Sequence, residues 1–202
     1  MLEKIRTLNP DYQIHELDDS FNEYGLIIKQ DMQEAIAYAS TYQNINAYDT
    51  SVQALEEMPC MQGLINDVYG YLDVMAGVVT GKNKVLNGLE YHQCSETIIA
   101  VTDYILALGK RQDMVGNDYD IEKCELFYIP KGTVVELYAT TLHYTPITVK
   151  NSFKTICLLL RGIGDSCQRR GILKKKNKWF IAHKDNVEKV QAGDYPGLKG
   201  KM

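Results

Sequence analysis

Along the 202-residue chain the apolar positions change period, from a mixture of strand-like and helix-like spacing in the first 70 residues to short alternating or continuous runs after Tyr71. Gln13 to Leu17 and Leu26 to Lys29 read as short strands on either side of the turn-forming DDSFNEYG. From Asp31 the residues Met32, Ala35, Ile36, Ala39 and Tyr42 share one helical face. Asp31 and Glu34 have the order of an N-cap and its capping-box partner, which predicts a helix of about three turns. A second helical stretch starts near Ser51, breaks at Pro59 and resumes through Leu64, Ile65, Val68 and Tyr69 to Gly70. These helices are expected to pack on the outside of a sheet.

Beyond Tyr71 the texture is β. Candidate strands run over Leu72 to Thr80, Val85 to His92, Thr97 to Val101, Tyr104 to Leu108, Glu125 to Ile129, Thr133 to Tyr138, Leu142 to Val149, Phe153 to Leu160 and Lys178 to His183. Many short strands with short connections predict a mainly β fold, an antiparallel β-barrel or jelly roll, in which closure or double layering removes exposed edges. Two or three helices would sit at its periphery. No internal repeat or composition break divides the chain, so one domain is expected over 1–202. Within it, 1–70 supplies N-terminal strands and a helical insertion, 71–185 the barrel core and 186–202 a loop-rich tail.

With 45% hydrophobic and 24% charged residues, 15 Gly and 5 Pro, the composition is that of a globular protein. Charge is unevenly spread. The chain carries a formal net charge of −4, yet Ser166 to Lys184 holds seven basic residues and no acid, leaving −11 on the rest. A globally basic nucleic-acid binder is thereby disfavoured, although a local anion-attracting patch is not. The run QRRGILKKKNKW reads either as a solvated hairpin or as an electrostatic guide for an anionic substrate. The apolar run Thr155 to Leu160 is too short to cross a bilayer, and MLEKIRTLNP lacks the apolar region of a signal peptide. A cytoplasmic, non-membrane protein is expected. Five cysteines without a CxxC pair fit reduced thiols better than a disulfide framework or a zinc ribbon.

Chemistry concentrates at two segments. In GLEYHQCSE, Glu90 and His92 are two apart on one strand and so share a face, and a tight hairpin would return Glu96 to the same layer. In KGTVVELYATTLHYTP, Glu136 and His143 fall on successive strands and could face each other. Convergence of such groups would make a divalent-metal site of mixed nitrogen and oxygen donors, for Zn, Mn, Ni or Fe. The bland alternative is that the histidines are half-buried structural residues and Glu136 a solvated one. Tyr91, Tyr128, Tyr138 and Tyr144 lie on the same strands, where a hydroxyl on an apolar ring suits a polar ligand. His15 and His183 are not expected to bind metal. No Walker loop, GxGxxG or GxSxG is present, so no nucleotide cofactor is expected.

The segment IHELDDSFNEYGLII, then Glu90-Tyr91-His92, then IPKGTVVELYATTLH, in that order and spacing, resembles the ureidoglycolate lyase family of the cupin superfamily, and more closely an uncharacterised cupin-like family related to it. Pro130 and Gly132 are similar to a cupin PxG turn. Glu136, Tyr138 and Leu142 stand where the lyase family has Asn, His and Trp. The resemblance implies a cupin-type barrel with an interior cavity, and a homodimer. It also implies a small-molecule enzyme, a lyase or a sugar isomerase or epimerase, acting on a polar carbonyl or sugar- or sugar-phosphate-like metabolite, an anionic or hydroxylated small molecule. Glu90, His92 and His143 would hold the metal, Glu136 or Glu96 would move the proton, and Tyr138, Tyr91 and Lys131 would contact substrate. A non-catalytic cupin that binds or senses a small molecule is the alternative.

Overall fold

The computed structural model describes residues 1–201. Its first part comprises α1 (Leu2–Leu8), β1 (Ile14–His15), β2 (Gly25–Ile28), α2 (Gln33–Ser40), β3 (Ala47–Asp49), α3 (Gln53–Glu56) and α4 (Pro59–Tyr69). Then come β4 (Val74–Gly81), β5 (Gly88–Tyr91), β6 (Glu96–Ala100), β7 (Tyr104–Lys110), β8 (Tyr119–Asp120), β9 (Glu125–Ile129) and β10 (Val134–Leu137). The last elements are β11 (Thr141–Leu142), β12 (Ile147–Thr148), β13 (Phe153–Leu160), β14 (Leu173–Lys175), β15 (Lys178–Ala182), α5 (Val187–Gln191) and β16 (Leu198–Lys199).

Six strands form one antiparallel sheet in the order β2-β10-β6-β13-β4-β3. A second sheet runs β1-β9-β7-β11, with β12 also on β7, and a third runs β14-β15-β5. The period-2 alternation of the six-stranded sheet divides its residues between two cores. Val74, Ala76, Val78, Ile99, Val134, Ile156 and Leu158 face outward, against Ala35, Ile36, Leu55, Met61 and Leu64 of the helices. Ile98, Ala100, Val135, Leu137, Phe153 and Cys157 face inward, against Phe21, Tyr24, Tyr104, Leu106 and Phe127. The fold is therefore mainly β, a double-layered antiparallel barrel of jelly-roll type with helices packed on its outer face. Fully buried side chains such as Leu64 and Phe127 contribute roughly 1.5–3 kcal/mol each.

Local signals explain the element ends. Pro59 opens α4, where its missing N–H costs nothing, and Gly70 closes it in the left-handed region at φ 58°. Gly132 takes φ 91° in the turn after Pro130. Several expectations need correction. The N-cap position of α2 is Met32 rather than Asp31; the Asp31 carboxylate, one residue earlier, accepts the N–H of the first helical residue, Gln33, at 3.0 Å, and the helix spans only 8 residues. The strand expected over Leu142 to Val149 splits into β11 and β12 around Pro146, which has no N–H for a ladder. α1 was not anticipated, and it buries Leu2 and Ile5 against Ile14 and Ile105. The tail is built into the fold. Leu198 and Asp194 are buried, β16 pairs with β8, and Asp194 takes ion pairs from Arg169 and Lys174.

Candidate metal centre

On β5, Leu89 and Tyr91 pack into an apolar cluster with Ile181 and Trp179, so Glu90 and His92 take the opposite, inward face. Glu96 opens β6 on the inner side, two residues before the inward Ile98. His143 follows β11 and is brought to β5 by a backbone bridge, in which Glu90 N–H donates to His143 O and His143 N–H to Glu90 O, at 2.6 and 2.9 Å. The ligand atoms of Glu90, His92 and His143 all lie within 4.8 Å of one another.

Hydrogen bonds orient this set. His143 Nδ1 lies 2.8 Å from Thr141 O and its Nε2 2.9 Å from Glu96 Oε2, while His92 Nδ1 lies 3.5 Å from the same oxygen. His143 thus donates Nδ1–H to the Thr141 carbonyl and Nε2–H to the Glu96 carboxylate; the Thr141 bond fixes the ring so that Nε2, on losing its proton, would present its lone pair to the cluster. The two imidazoles lie 5.2 Å apart between centroids. His92 is only 1% exposed, yet neither ring nitrogen has a hydrogen-bond partner. Burial pushes its pKa down to about 4, leaving a neutral imidazole with a free lone pair. Burial opposes ionisation of Glu96, but the hydrogen bond from His143 and the charges around it hold its carboxyl down at about 2. His143 is raised, its own desolvation outweighed by the Glu96 hydrogen bond and charge. Two orphaned nitrogens beside three further donors fit a divalent cation by the chemistry of the donor set, two imidazoles with carboxylate oxygens.

The other candidates do not converge here. Glu136 pairs with Thr97 and shares the outward face with Val134, because Val135 and Leu137 occupy the inner positions of β10. Tyr91 is stacked on Trp179 at 5.1 Å, with the Arg111 guanidinium over its ring, and faces away from Glu90. Tyr138 is exposed. Lys131 is exposed in a turn whose residues bond Ala100, at the end of β6 opposite Glu96, with its N–H on Asp103. His183 is wholly buried but bound to Gly200 O and the Asp185 N–H, and His15 packs on Phe127.

Sequence reasoning missed Lys178. Its ammonium lies 2.9 Å from Glu90 Oε1, and its pKa is raised because the Glu90 carboxylate outweighs burial. The basic run of which it is part read either as a solvated hairpin or as an electrostatic guide for an anionic substrate, with no single residue of it placed at the site. The hairpin is present as β14 and β15, but Lys178 sits on its inward face, and Arg169 and Lys174 are spent on Asp194. Tyr104 was missed too. It is fully buried in the inner core with an unpartnered hydroxyl. The strand period that marked Glu90 and His92 could have placed both residues only with the register of their neighbours in hand.

A family model described as "Domain of unknown function (DUF4867)" matches residues 14–202. The chain belongs to this family. No curated protein matches this DUF4867 chain. Among solved structures it is similar to HygX from Streptomyces hygroscopicus with iron bound, at 9% identity and TM-score 0.45, over 71% of this chain and 87% of that one. It is also similar to RmlC from Streptococcus suis in complex with dTDP-D-xylose, at 9% identity and TM-score 0.34, over 46% of each chain. A third likeness is to the hydroxypropylphosphonic acid epoxidase from S. wedmorenis, at 13% identity and TM-score 0.34. It covers 43% of this chain and 42% of that one, so the DUF4867 chain spans less than half of the epoxidase. Among the described residues, no helix is long and apolar enough to cross a membrane.

Proposed function

We propose that this chain is a metal-assisted, cupin-type enzyme acting on a small polar carbonyl or hydroxy compound, as a lyase or an isomerase. The observation that carries this reading is His92, whose buried ring has no hydrogen-bond partner while one of its nitrogens lies within 4.8 Å of the ligand atoms of Glu90 and His143 and its Nδ1 lies 3.5 Å from Glu96. His92, His143 and Glu90 would hold the cation. When bound, the cation supplies Lewis acidity toward a carbonyl or enediolate oxygen. The Thr141 carbonyl fixes the His143 ring. Were a cation held by His143 Nε2, the proton now on that nitrogen would be released and the Glu96 carboxylate, freed of its present partner, would be the group placed to accept or return a substrate proton. Glu136, on the outer face, has no part in this chemistry. Exclusion of water follows from the burial of His92, Glu96 and His143, at 1%, 7% and 5% exposure.

Elemental analysis and metal titration of the purified chain test the reading. About one equivalent of Mn, Fe, Ni or Zn per chain is expected. It should be lost in His92→Ala and His143→Ala and kept in Glu136→Gln. Wild-type protein that takes up no divalent metal under replete conditions refutes it. The same enclosure supports the second reading, a non-catalytic cupin that stores or senses its ligand, and metal uptake without turnover of any carbonyl metabolite would favour that. Pairing of two copies along the barrel edge belongs to the same proposal, supported by the exposed Leu26 and Ile27 of edge strand β2, and light scattering tests it.

A further inference from the structure

The interior cluster holds two carboxylates, Glu90 and Glu96, and one ammonium, Lys178. Ligating histidines are neutral. A divalent cation bound there would therefore leave the cluster with a net charge of +1, and an uncompensated charge in a water-poor interior is strongly unfavourable. Among the described residues no further carboxylate is paired with Lys178 to remove it. The ammonium has three N–H donors, of which one is spent on Glu90 Oε1 at 2.9 Å. Lys178 and Glu90 also form the accessible edge of the cluster, with side chains 18% and 14% exposed against 1% for His92. Phe180, paired with Glu90 across the ladder, and Tyr144, 5.0 Å from it between ring centroids, supply an apolar wall beside that edge.

We propose that Lys178 is the specificity-determining residue of this site, and that the substrate carries a carboxylate bound by the Lys178 ammonium at the Glu90 edge of the metal cluster. This rests on the metal reading above and adds to it the charge of the substrate. The carboxylate restores neutrality to the loaded interior, and Lys178 sets its orientation while remaining bonded to Glu90. Unlike Arg169 and Lys174, which are committed to Asp194, Lys178 has its remaining donors available on the inward face. The basic run thus contributes to anion recognition through one buried residue rather than through its exposed members.

The test is calorimetric titration of the full chain, first with Mn(II) and then, on the loaded protein, with glycolate and with its uncharged analogue glycolamide. Wild-type protein is expected to bind Mn(II) and to prefer glycolate at least tenfold. In Lys178→Gln, Mn(II) binding should persist while the preference falls below threefold, and Lys178→Arg should recover part of it. A structural role for Lys178 would weaken both ligands equally and leave their ratio unchanged. Retention of the full preference in Lys178→Gln overturns the proposal, since glycolate would then be selected by the cation alone. Equal affinities in loaded wild type overturn it without any variant, which keeps it falsifiable if Lys178→Gln does not fold. Failure of wild type to bind Mn(II), Fe(II), Ni(II) or Zn(II) overturns the metal reading and this inference with it, an outcome distinct from metal bound without preference.

Discussion

A buried polar group with nothing to bond is a cost that a stable chain tolerates only for a reason, and His92 provides a direct measure of it. Replacement by leucine, similar in volume and without polar atoms, removes both orphaned nitrogens from a position 1% exposed. An unsatisfied buried donor or acceptor costs about 1–3 kcal/mol, so the metal-free variant should be more stable than metal-free wild type by about 1–2 kcal/mol after some loss of fit. For a chain of this length that raises Tm by about 2–8 °C. With divalent metal present at a hundredfold over Kd, wild type gains about 2.7 kcal/mol and the variant nothing, so the order of stability inverts. Urea denaturation of both proteins, with chelator and with excess Mn(II), reads the two differences, the midpoint shifting without a change in slope. If His92→Leu is destabilised without metal, the nitrogens are not orphaned. If it is still stabilised by metal, His92 is not a ligand. Either result refutes the reasoning.

Three further outcomes follow from the scaffold around the site. Tyr69 crosses from α4 to the sheet, its hydroxyl 2.8 Å from Leu158 O, 2.9 Å from Thr97 N and 3.0 Å from Thr97 Oγ1; Tyr69→Phe strands buried backbone groups next to Glu96 and should cost about 2–4 kcal/mol in urea unfolding, a cost under about 0.5 kcal/mol contradicting it. A Cβ on Gly25 would lie 1.9 Å from Glu136 O, so Gly25→Ala should detach β2 from β10, visible as loss of amide exchange protection at Leu26 to Ile28; unchanged protection would contradict it. Glu56 holds Arg161, the Ser51 hydroxyl and the Ala76 N–H, and although burial opposes its ionisation these bonds keep its pKa below the ordinary 4.5. A depressed folded pKa gives stability that is present above about pH 4.5 and lost as pH falls, so Glu56→Gln should flatten the acid side of the stability profile, and an unaltered slope there would count against the assignment.

Particular residues show where sequence reading succeeds. β9 and β13 were legible to the residue, since Glu125 to Ile129 and Phe153 to Leu160 are short, mainly apolar runs that include aromatic and β-branched side chains and are flanked by Pro130, by Asn151 and Ser152, and by Gly162. Pro59 and Gly70 framed α4 for reasons that need no tertiary context. By contrast all three residues of β3 are exposed and it has no apolar alternation; it is a strand because β4 offers it an edge. α1 and α5 are short and depend on contacts outside themselves.

The site divides along the same line. Glu90 and His92 were readable as a same-face pair because strand period is a local property, and the hairpin return to Glu96 extends it by four residues. What placed Glu136 outside the site was the inward commitment of Val135 and Leu137, decided by the opposite sheet. What brought Lys178 in was the pairing of β15 with β5 across 88 residues of sequence. The chain alone determined which residues share a face within one strand, since the period of two follows from backbone geometry. Only the tertiary structure decided which face turns inward and which distant strand lies beside it, because burial and register are settled by the whole packed barrel.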